Sequence, residues 1–186
     1  MTFCSILAFG QNEISFKKLK YRIDDQLIQK TKRLSSNDSG LLKKSMFIKV
    51  LWDGKPIFNQ YVDCYTQSRL SNDTIYIIGS MPSGLGWGFN LVLFNDSCFL
   101  ASFVLSDGKI YKYKAKDKSS ISFILLRTLT QNIDLGKKPL FREGERINGF
   151  VDLESENFFY FSNNSTTKAK VFLRAYFKTA MLQKTK

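Results

Sequence analysis

The sequence predicts a mainly β protein, an antiparallel β-sandwich or barrel of about nine strands with one N-terminal amphipathic helix. Apolar and polar residues alternate with a period of two from residue 45 onward, which is typical of half-buried strands. Clusters of Asn, Asp, Ser and Gly separate the alternating runs at short intervals. Because 44% of the 186 residues are hydrophobic, the chain can build the core of a single domain.

Residues 1–10 are predicted to be the end of a secretory signal peptide, and residues 11–186 the β-rich domain. Residues 2–9 form an uncharged apolar run, and Ala8-Phe9-Gly10 supplies a small-x-small pattern for signal peptidase. We therefore expect a secreted or periplasmic protein. A basic n-region is missing, because Lys17 is the first cation, so either the true start lies upstream or this run is a buried strand of a cytosolic domain. Elsewhere no run approaches the ~18 apolar residues of a membrane-spanning helix.

Residues 16–34 are predicted to form the amphipathic helix. Apolar residues recur here at helical steps, with polar residues between them, at Phe16, Leu19, Ile23, Leu27 and Leu34. We expect the helix to pack on the sheet, and its basic polar face leaves a membrane-surface helix as the alternative. Residues 16–23 also alternate loosely enough for a strand. The polar residues 35–40 end the helix and are the best linker candidate.

The sheet is predicted over residues 45–180. Its strands are predicted at residues 46–52, 57–65, 74–78, 88–94, 98–105, 109–114, 120–129, 146–154 and 168–179. Turn-forming residues at 53–56 predict a hairpin. Those at 95–97 and 106–108 predict that residues 88–114 form a three-stranded meander.

The chain contains no His, which excludes Ser-His-Asp and Cys-His catalysis and His-ligated zinc. Carboxylate chemistry stays open, because Asp152, Glu154 and Glu156 alternate and would share one face of a strand. A carboxylate-based glycan hydrolase needs two such groups, from these three or Asp63, within about 5 to 10 Å in a cleft. The commoner interpretation is a solvent-facing, ion-paired strand. We recognise no catalytic, metal or cofactor motif, so we expect no cofactor and favour a protein that is not an enzyme.

Two cysteines, Cys64 and Cys98, remain once the predicted signal peptide is removed. An even pair in an oxidising compartment favours a disulfide. Free Cys is also among the most buried residue types, which favours two buried thiols on neighbouring strands. The sequence leaves both predictions open.

Three aromatic residues, Trp87, Phe158 and Tyr160, are the candidate ligand-binding residues. Trp87 belongs to the glycine-rich segment 79–88, which is either a mobile rim with an aromatic platform or a connection with Trp87 in the core. Phe158 and Tyr160 belong to four consecutive aromatic residues, of which a strand sends two to each side. This cluster is a binding surface, an oligomer contact, or a sheet edge beneath the loop of residues 162–167.

The formal net charge of +12 would suit a polyanion, but the cations are mostly Lys and are spread along the chain. Scattered Lys is typical of solvated strand faces, so we expect no specific nucleic-acid partner. The sequence therefore favours a binding or structural module whose partner is a glycan, a peptide or a cell-surface polyanion. The alternatives are a carrier of an apolar ligand in a barrel cavity and the carboxylate-based hydrolase.

Overall fold

Antiparallel strands dominate the computed structural model, which describes residues 18–35, 40–82, 86–111, 121–162, 165–179 and 183–184. The predicted signal peptide lies outside these residues. The elements in chain order are β1 (Arg22–Ile23), α1 (Gln26–Leu34), β2 (Leu41–Trp52), β3 (Lys55–Ser71), β4 (Thr74–Ser80), β5 (Gly86–Phe94), β6 (Ser97–Tyr111), β7 (Ile121–Leu135), β8 (Asn148–Ser155), β9 (Phe158–Ser162), β10 (Ser165–Lys178) and β11 (Gln183–Lys184).

Strand pairing joins the described strands into one sheet that closes on itself. The order is β1-β7-β8-β10-β2-β3-β4-β5-β6-β9, and further pairings of β7 with β6 and of β10 with β9 complete a ring. Only the two-residue strands β1 and β11 pair in parallel within the described chain, with β7 and β3 respectively. The mainly β fold class is confirmed, and the strands longer than two residues, β2 to β10, match the predicted number.

The core fills the interior of the ring. Buried and half-buried residues alternate along β4 and β8, as expected for strands with one face inside and one outside. Phe89 on β5 and Phe177 on β10 are fully buried, and their ring centroids lie 5.5 Å apart. Three strands separate β5 from β10 in the sheet order, so these two rings meet across the interior. Side chains thus occupy the space between the strands.

The predicted helix is too long at its N-terminal end. Among the described residues, the helix begins at Gln26, and Arg22 and Ile23 instead form β1 beside β7. The Arg22 guanidinium donates two hydrogen bonds to Asp134, at 2.6 and 3.0 Å. Asp24 then accepts a hydrogen bond from the backbone N–H of Gln26, which turns the chain into the helix. Backbone pairing of Leu19 with Cys98 on β6, and of Arg22 and Ile23 with β7, therefore overrides the helical periodicity that precedes Gln26.

Two predictions about the later strands are also wrong. Residues 106–108 do not form a hairpin, because β6 continues through them as one strand. Its pairing with β7 shifts register between Leu105 and Ile110, so these turn-forming residues produce an irregularity instead of a reversal. Nor is β9 an edge beneath a loop: β9 pairs with both β10 and β6, and residues 165–167 belong to β10.

The predicted hairpin at residues 53–56 is confirmed. Asp53 and Gly54 both have positive φ, 46° and 81°, as the two-residue turn between right-twisted strands requires. The turn at Asn95 and Asp96 also joins β5 to β6 as predicted. Local turn chemistry identified both connections.

Cys64 and Cys98 are free thiols, so the predicted disulfide is not formed. Both are fully buried, which agrees with the alternative prediction of buried thiols. They do not lie on neighbouring strands, however, because β4 and β5 separate β3 from β6 in the sheet. The pairing that an oxidising compartment would favour is thus absent.

Candidate functional site

At one end of the ring, the described strands β4 and β5 stop short of their neighbours. β4 pairs with β3 only along Tyr65–Ser71, whereas β3 continues to Lys55. β5 likewise starts opposite Leu105, whereas β6 continues to Tyr111. Within the described residues, β4 and β5 therefore extend less far towards this end of the ring than the neighbouring strands β3 and β6 do.

Four aromatic side chains close the core at this end, and we call them the end cluster: Trp52, Phe58, Trp87 and Tyr160. Each continues the inward-facing series of its strand, and each packs on the core while staying half-buried. The rings of Trp52 and Tyr160 stack with centroids 5.2 Å apart and planes inclined by 23°. The rings of Phe58 and Trp87 meet at 5.0 Å. The end cluster is thus two aromatic pairs, each with one side towards the core.

Neighbouring strands place the stacked pair. Trp52 is opposite Ala169 on β10, and Ala169 is in turn opposite Phe158 on β9. Tyr160 follows two residues after Phe158, so it points to the same side of the sheet. The small side chain of Ala169 leaves room for the two larger rings to meet across β10.

The predicted ligand-binding residues therefore separate into two groups. Trp87 and Tyr160 lie in the end cluster, where both side chains are half-buried. Phe158 is only 2% exposed and lies in the core below them, where it supports the cluster. Sequence reasoning missed Trp52 and Phe58. Trp52 could have been found, because it continues the alternation of Ile48 and Val50 and directly precedes the predicted turn.

The glycine-rich segment positions Trp87 by close packing. A Cβ on Gly79 would lie 2.1 Å from the Phe89 ring, and one on Gly88 would lie 2.2 Å from the carbonyl oxygen of Gly79. Gly86 has a φ of 109°, which favours glycine. The absence of a side chain at Gly79 and Gly88 thus allows close packing between β4 and β5 beside Trp87.

The carboxylates considered for hydrolysis are paired on the outer surface. Asp152 accepts a hydrogen bond from Arg174 at 3.1 Å, and Glu154 accepts one from Lys170 at 2.6 Å. Glu156 pairs with Arg127 at 3.1 Å.

The fourth carboxylate, that of Asp63, accepts a hydrogen bond from the backbone N–H of Lys44 at 2.8 Å. Asp152 and Glu154 therefore form the ion-paired strand face that the sequence favoured. In the part of the chain that the structure describes, no group of three or more His, Cys, Asp and Glu residues could hold a metal ion.

A separate polar cleft of about 580 Å³ lies at the connection between β7 and β8. It is lined by Lys137, Arg142, Glu143, Gly144, Glu145 and Arg146. The Glu145 carboxylate is buried, accepts a hydrogen bond from the N–H of Leu140 at 2.9 Å, and has Lys137 Nζ 3.5 Å from its other oxygen. These contacts link distant parts of one loop, so we assign Glu145 a structural role.

We expect Glu145→Ala to lower the unfolding free energy by about 1–3 kcal/mol, because the N–H of Leu140 would lose its buried acceptor. Glu145→Gln should cost less, since an amide oxygen can still accept that bond. Chemical unfolding in urea measures both. The matched control is Glu143→Ala on the exposed side of the same loop. Equal losses for Ala at positions 143 and 145 would refute the structural role.

No described helix is long and apolar enough to cross a membrane. The comparisons with known proteins likewise add no relative, since no family model, curated protein or solved structure matches this chain.

Proposed function

We propose that this protein is an exported, non-catalytic binding module whose ligand contacts the end cluster. The observation that carries the proposal is that four inward-directed aromatic side chains are only half-buried at the end of the ring where β4 and β5 stop short. Elsewhere the described inward positions are mostly closed, with Ile48, Leu91 and Leu173 fully buried. Large half-buried rings that are already held in place can bind a ligand with little further loss of conformational freedom.

The end cluster suits a glycan or a peptide, as the sequence suggested for this module. Stacked rings offer flat apolar faces, and Tyr160 and both Trp side chains add polar groups at the edges of those faces. Export is proposed on the apolar residues 1–10. It predicts that a bacterial host, expressing the protein from an upstream-extended start, secretes a chain whose measured mass corresponds to a first residue at Gln11.

The alternative functions have weaker support. An apolar carrier needs interior space, but Phe89 and Phe177 meet across the ring. A carboxylate-based hydrolase needs carboxylates in a cleft, but Asp152 and Glu154 are paired with cations on the outer face. Binding of a ligand at the end cluster requires neither an interior cavity nor carboxylates in a cleft.

Tryptophan fluorescence tests the proposal directly, because the two Trp residues of the chain, Trp52 and Trp87, both belong to the end cluster. We expect a member of a panel of linear oligosaccharides and displayed peptides to shift this emission on binding. Trp87→Ala and Tyr160→Ala should each weaken that binding by about tenfold or more, the loss expected for an aromatic anchor.

The control for this experiment is Phe94→Ala. Phe94 stacks on Phe99 at 5.2 Å near the turn that joins β5 to β6, away from the end cluster. We expect this variant to bind like the parent protein. The proposal is wrong if no member of the panel binds, or if the Phe94 variant loses as much affinity as the Trp87 variant.

A further inference from the structure

We propose that the ligand is an extended peptide segment of a partner protein, which adds as a new strand along residues 55–63 of β3. This inference rests on the proposed function, because the same peptide would contact Phe58 and Trp87 of the end cluster. It narrows the ligand from a glycan or a peptide to a polypeptide. The recognition chemistry is backbone hydrogen bonding at an open sheet edge.

No described strand pairs with the second edge of β3 over these residues. β2 covers one side of β3 from Lys55 to Tyr65, while β4 pairs only with Tyr65–Ser71 and β11 only with Arg69 and Leu70. Within the described chain, residues 55–63 therefore pair on one side alone. Every second residue of such a strand directs its N–H and C=O groups to the unpaired side, and this row is a template for the backbone of another strand.

Apolar side chains lie on both faces of β3 along this edge, where a partner strand could contact them. Ile57 is 46% exposed and Tyr61 is 65% exposed on the outer face, where Tyr61 contacts the ring of Phe47 at 5.2 Å. Phe58 faces the interior and contacts Trp87. A strand laid beside β3 would thus find apolar contacts on both of its faces, which matches the alternation of side chains in an extended peptide.

Protection against unwanted pairing is confined to the ends of this edge. Lys55 and Pro56 stand at one end and Asp63 at the other, and these are the residue types that discourage strand addition. Between them, residues 57–62 carry no charge. An unprotected run of six residues is enough to pair with a peptide of ordinary strand length.

Charge decides between a partner peptide and a second copy of this chain. Two copies that each carry a formal charge of +12 repel one another on approach. The same charge attracts an acidic segment. We therefore assign the edge to an acidic peptide with apolar residues at alternate positions.

The test selects peptides from a random displayed library on the immobilised full-length protein. We expect the selected peptide to slow backbone hydrogen exchange by at least about tenfold at alternate residues between 57 and 63, because newly formed ladder bonds protect the amides. N-methylation of the peptide at one set of alternate residues should abolish binding, and at the other set should leave it unchanged. Stacking on aromatic side chains alone would not produce this alternation.

The outcomes separate this inference from the proposed function. Oligosaccharide binding that depends on Trp87, with no peptide selected, overturns the strand addition and leaves the binding module standing. A peptide that binds without protecting residues 57–63 also overturns it. A concentration-dependent dimer that protects the same amides assigns the edge to a second copy instead. Absence of any ligand contradicts the proposed function itself.

Discussion

Replacing Phe177 by Ala is expected to lower the unfolding free energy by about 3–5 kcal/mol, the usual loss when a buried Phe is truncated. Phe177 is fully buried, contacts Phe89 across the ring and lies directly against Gly149. The opposing strands cannot collapse onto the vacated space, because each is held by hydrogen bonds to its neighbours in the ring. Urea unfolding measures the loss.

Phe172→Ala is the matched control on the same strand. Phe172 is half-buried and alternates with the buried Val171 and Leu173, so it faces outward. Its truncation leaves no interior cavity and should cost clearly less than that of Phe177. If the two variants lose equal stability, the interior is not packed as the structure describes.

Gly149→Ala provides a second test of how the Phe177 ring is packed, because Gly149 lies directly against that ring. A Cβ there would lie 2.3 Å from Cζ of Phe177 and 2.9 Å from the carbonyl oxygen of Asp134. Overpacking of this kind costs about 1–3 kcal/mol. In the Phe177→Ala background the cost should fall without disappearing, because the clash with the Asp134 carbonyl remains. Additive losses would show that the ring does not meet residue 149.

The second large expected effect is that folding protects the thiols of Cys64 and Cys98 from alkylation. Cys64 and Cys98 are fully buried, and burial raises the pKa of each thiol to about 12. The thiolate is the reactive form, so alkylation must await unfolding. We expect Cys64 and Cys98 to react slower in the folded protein than in the urea-unfolded chain by a factor on the order of 10³ or more, as set by the unfolding equilibrium.

The raised thiol pKa values also make stability depend on pH. Their ordinary value is 9.0, so the unfolded chain loses these protons at lower pH than the folded protein does. The stabilisation is complete below about pH 9 and is lost as the pH rises towards 12. The double variant Cys64→Ala/Cys98→Ala should therefore lose less stability between about pH 8 and about pH 10.5 than the parent protein.

Comparing the parent with the double variant removes the contribution of Tyr and Lys side chains, which titrate in the same range in both. Equal slopes of stability against pH would contradict the assignment to the thiols. Rapid alkylation of Cys64 or Cys98 in the native protein would show that these sulfurs are accessible. A mass two protons light, with neither Cys64 nor Cys98 reactive after unfolding, would show that they are bonded to each other.

The strands and their tight turns followed from local chemistry. Alternation of apolar and polar residues identified β2, β4, β5 and β8 within a few residues, because one face of each strand is buried. Asp53-Gly54 and Asn95-Asp96 identified their turns, because those residues tolerate the backbone angles that a hairpin requires. The sequence also identified Trp87 and Tyr160 as candidate ligand-binding residues, but it did not show that both lie in the end cluster.

Long-range pairing decided the features that the sequence left out or assigned wrongly. Residues 22–23 became a strand because β7 offered hydrogen-bond partners. β6 continued beyond residues 106–108 because β7 and β9 pair with its last residues, 109–111. The end cluster joins side chains of the hairpin β2–β3 to side chains of β5 and β9, which are distant from that hairpin in sequence. The unpaired edge of β3 arises because β4, the described strand beside it, is shorter than β3. A residue pattern records how each strand is buried, but not which strand lies beside it or where that neighbour ends, because backbone hydrogen bonds between strands are nearly independent of side-chain identity.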